Sequence, residues 1–146
     1  MEPQKSNKWF KWVRIIGIII IILYILFSLL ILLGDSKGQK LQYDEFHSIY
    51  YSEEYFDPSF IRIVGDSLQK IGFFSPNSPS DIQLLRSPEL GDTVVVGYLV
   101  NPNKLTPEIK EEFRLITKAI HPLLRTHTQI HFKDENFNTL DRMKME

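Results

Sequence analysis

Residues 15–33 read IIGIIIIILYILFSLLILL, nineteen positions without a charged side chain. As a helix with a rise of about 1.5 Å per residue, this run would be roughly 28 Å long, close to the hydrocarbon thickness of about 30 Å. Its nine Ile and six Leu favour insertion into lipid. The run therefore predicts a transmembrane helix over residues 15–33, and this helix decides where the remainder of the chain lies.

The residues just before this run combine cations with large aromatic rings. Such side chains are typical of the lipid–water interface, and we expect six of them there: Lys8, Trp9, Phe10, Lys11, Trp12 and Arg14. Residues 1–14 hold four Lys and Arg against one Glu, and only Lys37 and Lys40 are basic in the fourteen residues after the run. The positive-inside bias thus predicts a cytoplasmic N-terminus and an exported domain.

A cleavable secretory signal is the rival interpretation of this N-terminal region. Gly34, Asp35 and Ser36 offer the small residues that a signal peptidase reads. The apolar region of such a signal usually has about 7 to 15 residues, however, and this one has nineteen. We therefore expect a retained anchor in a bacterial inner membrane.

The length of the chain leaves room for one small domain after the predicted anchor. The expected organisation is a basic and aromatic tail at 1–14, the helix at 15–33, a linker at 34–42 and an α+β domain at 43–146. Cysteine is absent, which excludes disulfides and thiolate metal sites. Residues 35–146 hold thirteen basic and seventeen acidic side chains, so nucleic acid is not an expected partner.

Hydrophobic periodicity and turn residues predict four strands and two helices in the domain. Asp57-Pro58 and Thr106-Pro107-Glu108 are typical helix starts, since Asp or Thr can cap the free amides. The predicted elements are strand 47–52, helix 58–71, strands 81–86 and 92–100, a helix from 107 that Pro122 should end or bend, and strand 126–133. This order indicates a ferredoxin-like βαββαβ domain, an antiparallel sheet with both helices on one face.

One face of the predicted sheet is a candidate docking surface. If both helices cover Val94, Val96 and Ile130, strand alternation turns a second set of residues towards solvent: Leu85, Val95, Leu99, His127, Gln129 and His131. Large aliphatic side chains close together are unusual on a solvated face, which favours a protein partner or self-association. Two alternatives stay open: scattered exposed residues, or a cover formed by the loop at 73–80 or by the tail from Phe137.

No motif predicts catalysis, a cofactor or a metal. His127 and His131 have the spacing of a zinc-protease helix, but Thr128 stands where the general base belongs. Asp134, Asn136 and Asn138 resemble the start of a calcium loop, but the Gly and Glu which that loop requires are absent. An Asx-rich turn is the simpler interpretation.

Four short segments carry a resemblance: IYY at 49–51, LQKIGFF at 68–74, IQL at 82–84 and IHFKDENF at 130–137. In this order they resemble a group of small bacterial single-pass membrane proteins with a ferredoxin-like α+β domain. The resemblance implies no activity.

Three classes of function remain open. The favoured one is a membrane-anchored, non-enzymatic protein-interaction module of the bacterial cell envelope. The second is an accessory subunit of a secretion or pilus-type machine, although the long coiled coil common there is missing between Gly34 and Tyr43. The third is an envelope hydrolase with no recognisable motif.

Overall fold

The computed structural model describes the backbone of residues 8–33 and 37–145, and the side chains of residues 12–28, 37–87 and 89–145. The chain divides into two compact units, Met1–Ser36 and Lys37–Glu146. The first unit contains helix α1 at Lys8–Leu33. No helix is both long and apolar enough to cross a membrane when the search covers only the described residues. The side chains of residues 29–33, the last part of the predicted span, lie outside them.

The second unit is an α+β fold with two helices and a six-stranded mixed sheet. In chain order its elements are β1 Gln39–Gln42, β2 His47–Tyr51, α2 Pro58–Lys70, β3 Ser80–Ser87, β4 Thr93–Leu99, α3 Pro107–Leu124, β5 Thr128–Lys133 and β6 Thr139–Lys144. Short 3₁₀ turns at Pro88–Leu90 and Pro102–Lys104 follow β3 and β4. The four predicted strands and both predicted helices of this unit are present.

The strands lie in the sheet in the order in which they occur in the chain. The pairs β2–β3 and β4–β5 are parallel, and the pairs β1–β2, β3–β4 and β5–β6 are antiparallel. The prediction of an antiparallel, ferredoxin-like sheet is therefore wrong. Each helix here connects two neighbouring parallel strands, so no strand enters between them. The order of elements along the chain is the same in both arrangements and cannot separate them.

Two strands, β1 and β6, were not predicted. The predicted linker at 34–42 includes the whole of β1, whose single buried residue is Leu41. In β6, half-buried and exposed positions alternate in the sequence TLDRMK, which has few β-branched residues. Both strands lie at an edge of the sheet. There, a single row of apolar side chains, or less, is enough to fix the strand register.

Capping side chains begin both helices of the domain. The Asp57 carboxylate accepts hydrogen bonds from the amides of Ser59 at 2.9 Å and Phe60 at 3.0 Å. The Ser59 hydroxyl also donates to this carboxylate. Of these hydrogen bonds, the one from the hydroxyl contributes most to lowering the pKa of Asp57. The Thr106 hydroxyl accepts the amide of Ile109 in the same way at 3.4 Å. Both predicted helix starts are confirmed.

The core lies between the sheet and the two helices, which pack against each other on one face. Its fully buried side chains include Ile61, Val64 and Leu68 of α2, Ile120 of α3, and Ile49, Ile82, Leu84, Val96, Ile130 and Phe132 of the strands. The buried Tyr98 hydroxyl lies 2.8 Å from that of Thr117, which gives the phenol a polar partner within the core. Burial raises the pKa of Tyr98.

A contact between the buried His47 ring and the half-buried Asp44 carboxylate closes the turn between β1 and β2. The Nδ1 atom of His47 lies 2.7 Å from the Asp44 carboxylate, and its Nε2 atom lies 3.1 Å and 3.2 Å from the carbonyl oxygens of Ser75 and Ser78. Both ring nitrogens therefore face oxygen acceptors. Burial alone would raise the pKa of Asp44, but the bonds from His47 and from the Phe46 amide lower it. The pair thereby ties the β1–β2 turn to the loop before β3.

Replacing Leu68 by Ala should lower the free energy of unfolding by about 2 to 5 kcal/mol, because the change leaves a cavity in the core. Leu68 is 0 % exposed, whereas Leu115 on α3 is 55 % exposed. Leu115→Ala is therefore the matched control and should change the free energy by about 0.5 kcal/mol or less. Urea unfolding of the full chain in detergent measures both, and equal losses would contradict this core.

Candidate functional site

Within the described residues of the unit Lys37–Glu146, no helix packs on the second face of the sheet, which we call the helix-free face. Strand alternation places on it the residues between the core positions: Lys40, Gln42, Ser48, Tyr50, Asp81, Gln83, Leu85, Ser87, Thr93, Val95, Gly97, Leu99, Gln129, His131, Lys133, Arg142 and Lys144. This set contains five of the six residues predicted to bind a partner. The helix-free face is therefore where the candidate site has to be sought.

Gly97 makes room for its neighbours at the centre of this face. A Cβ atom added at Gly97 would lie 3.2 Å from the Gln83 Cβ and 3.3 Å from the Lys133 Cδ. Both neighbouring side chains are buried. The Gln83 amide also donates to the carbonyl oxygen of Lys37 at 3.1 Å. Because Gly97 has no side chain, the long polar side chains of Gln83 on β3 and Lys133 on β5 can pack over β4.

The loop between β5 and β6 reaches across to β2 on this face. Its Phe137 ring is buried and lies 4.8 Å from the Tyr50 ring, edge to face. The loop is shaped by Asp134, whose carboxylate accepts the amides of Asn136 and Asn138 at 2.9 Å. The bonds from Asn138 lead those that lower the pKa of Asp134. The polar residues of the calcium-like motif form an Asx turn that positions Phe137.

The six predicted partner-binding residues differ in exposure. Val95 is 3 % and His131 7 % exposed, so the prediction that they face solvent is wrong. Leu85, Leu99 and Gln129 are half-buried, and His127 is exposed. Val95 pairs with Leu85 and Gln129 across the neighbouring strands, and these longer side chains shield it. Whether the six residues bind a partner stays a prediction.

Four exposed cations follow the two edges of the helix-free face. Lys40 lies on β1, Arg142 and Lys144 lie on β6, and Lys37 precedes β1. We call these four residues the cationic rim. The Lys37 ammonium lies 5.2 Å from the centroid of the Phe137 ring, and that of Lys40 lies 5.8 Å from the Tyr50 ring.

Sequence reasoning missed the cationic rim because it missed β1 and β6. The available signal was the alternation in Asp141-Arg142-Met143-Lys144, where two cations share one side of a strand.

The predicted membrane-interface residues lie on α1. Trp12 is 64 % exposed, and Arg14 is also exposed. The side chains of Lys8, Trp9, Phe10 and Lys11 lie outside the described residues. Across the part of the chain that the structure describes, no three His, Asp or Glu side chains come together as metal ligands.

Two adjoining grooves lie where β4 ends. One, of about 430 Å³, has apolar walls that include Phe73, Val100 and Phe113, with Lys104 and Glu112 among its lining residues. The other, of about 550 Å³, lies between Leu99 and the Asp134 turn. Neither lining contains a histidine, or a serine beside a base, which are the usual signs of an activated nucleophile.

Comparisons with protein-family models, with curated proteins and with solved structures found no match for this chain. The resemblance drawn from the sequence therefore stays a prediction. The candidate site has to be interpreted from its own residues.

Phe137→Ala should lower the thermal midpoint of the full chain in detergent by about 10 °C or more, because loss of a buried aromatic ring costs about 3 to 5 kcal/mol. Phe137 is 3 % exposed, whereas Phe46 is 43 % exposed. Phe46→Ala serves as the control and should shift the midpoint by much less. A midpoint unchanged by Phe137→Ala would mean that the β5–β6 loop does not cover the sheet.

Proposed function

We propose that this chain is a membrane-anchored, non-enzymatic protein-interaction module of the bacterial cell envelope. In this proposal α1 anchors the chain in the inner membrane, the N-terminus lies in the cytoplasm, and the domain lies outside. The partner is a protein or a second copy of the chain.

The exposed apolar surface of α1 carries the proposal. Its large apolar side chains from Trp12 to Phe27 are between 48 % and 73 % exposed. They lie on all sides of the helix, a pattern found where a helix is enclosed by protein or by lipid. A helix surface that is apolar and exposed on all sides favours lipid. The apolar sequence continues to Leu33, through residues whose side chains lie outside the described ones.

The titratable groups of the domain support a role without catalysis. Burial and a hydrogen bond with Asp66 raise the pKa of Tyr43 to about 12, and the same bond holds the phenol against α2. The carboxylates with lowered pKa values belong to helix caps, turns and ion pairs, such as Asp57, Asp134 and Asp92. In the described part of the chain, each of these groups has a structural partner that accounts for its shift.

The anchor and its orientation can be tested together. Alkaline phosphatase should be active when fused after Glu146 and inactive when fused at Lys8, and the chain should stay in the membrane pellet at alkaline pH. Replacing Ile22 and Leu23 together by Lys should release it, since each Lys at a helix centre costs about 2.5 to 3.5 kcal/mol. Ile63→Lys, on the exposed side of α2, is the control and should leave the chain in the pellet.

Three outcomes would contradict the proposed anchor or its orientation. Phosphatase activity only at the N-terminal fusion would reverse the orientation. A mature chain beginning at Lys37 would identify a cleaved signal. Release of the unchanged chain by alkaline extraction would mean that α1 is not an anchor.

The interaction itself is tested by cross-linking in intact cells and by capture from solubilised membranes. A chain found only as a monomer would contradict an interaction module.

A further inference from the structure

We propose that the helix-free face binds the anionic phospholipid headgroups of the bilayer that holds α1, and that the cationic rim provides the attraction. The inference rests on the proposed membrane anchor. It adds a second membrane contact, made by the folded domain itself.

The distribution of charge over the domain is the first argument. Residues 35–146 are acidic in total, with thirteen basic and seventeen acidic side chains. On the described strands of the helix-free face, the only carboxylate is Asp81, which is half-buried and accepts the Ser48 amide at 3.0 Å. The exposed charges on these strands are therefore cations, whereas the loop that crosses the face carries the carboxylates of Asp134 and Glu135. The two edge strands are thus complementary to an anionic surface.

The cations of the rim are also not neutralised within the domain. Arg86 pairs with Asp92, Lys110 with Asp141, and Arg114 with Glu111, all away from the helix-free face. Within the described residues, no carboxylate lies within ion-pair distance of the four rim cations. Lys133 is buried and has a partner, so it is not counted with the rim.

The shape of the face suits a plane of headgroups better than a single anion. The rim follows β1 and β6, the two edges of a six-stranded sheet, which are about 24 Å apart at the usual strand spacing. Between them lie uncharged or half-buried side chains such as Gln83, Leu85 and Leu99. Cations on opposite edges cannot converge on one phosphate, but they can meet different lipids.

The position of the rim in the chain favours the bilayer as the source of those anions. Lys37 follows Leu33 by only four residues, which span at most about 14 Å. Basic residues close to a membrane helix are attracted to anionic lipid. The half-buried Tyr50 ring beside Lys40 gives this edge an aromatic ring next to a cation, a combination typical of interfaces.

A fluorophore on the helix-free face can report contact with lipid. The chain has no cysteine, so Gln129→Cys and Ser87→Cys each supply one labelling site on this face. Ala119→Cys, on the exposed side of α3, is the control site. The full chain is placed in nanodiscs of phosphatidylcholine, alone or mixed three to one with phosphatidylglycerol, and quenching by a headgroup spin label is measured.

We expect the labels at Gln129 and Ser87 to be quenched in the mixed discs and not in phosphatidylcholine alone, and high salt to reverse the quenching. The Ala119 label should stay unquenched. Lys40→Gln combined with Lys144→Gln should lower the ratio of docked to free domain about 25-fold, at about fivefold per cation. Lys70→Gln combined with Lys118→Gln, on α2 and α3, should change the ratio less than twofold.

Several results would overturn the inference. One is equal quenching in both lipids, and another is an equal effect of the two pairs of substitutions. A disulfide between two copies through Gln129→Cys would show that a second copy occupies the face instead. A chain that does not enter the discs would overturn the anchor and this inference with it, whereas a chain that enters with an unquenched face would overturn the inference alone.

Discussion

The structure of the domain depends on one constraint: both helices lie on the same face of a six-stranded sheet. The second face then has to exclude water from its central strands without a helix. It does so with the long side chains of Gln83 and Lys133, with the space left by Gly97, and with Phe137 from the β5–β6 loop. The same constraint places the exposed charges of that face at its edges. Among its described strand residues, only those of β1 and β6 have exposed side chains.

The two buried clusters have different roles. The core under α2 and α3 is apolar, with Tyr98 and Thr117 as a paired exception, and provides most of the burial. The side chains that cover the helix-free face are largely polar or aromatic, so they bury less apolar surface than the core does. They fix the positions of the strands through specific contacts. A domain closed in this way keeps a cationic rim along two edges of this face, and the proposed anchor holds the face close to lipid.

Local chemistry made much of this fold predictable. Asp57-Pro58 and Thr106-Pro107 define helix starts by themselves, and the run of β-branched residues from Thr93 to Val96 favours a strand. Strand order was not predictable, because the same sequence of elements satisfies both the predicted and the observed sheet. The edge strands were missed because β1 buries only Leu41 and β6 is rich in charge. The burial of Val95 depends on neighbours that only the sheet register brings together.

The central claim is that α1 is embedded in lipid while the domain folds around its own core. Hydrogen exchange of the full chain in lipid bilayers tests this most directly. The account predicts that amides of residues 15–33 stay protected for hours because lipid excludes water, and that β3, β4 and β5 exchange only on global unfolding of the domain. Exchange of residues 15–33 within seconds, in a chain whose strands remain protected, would contradict the claim.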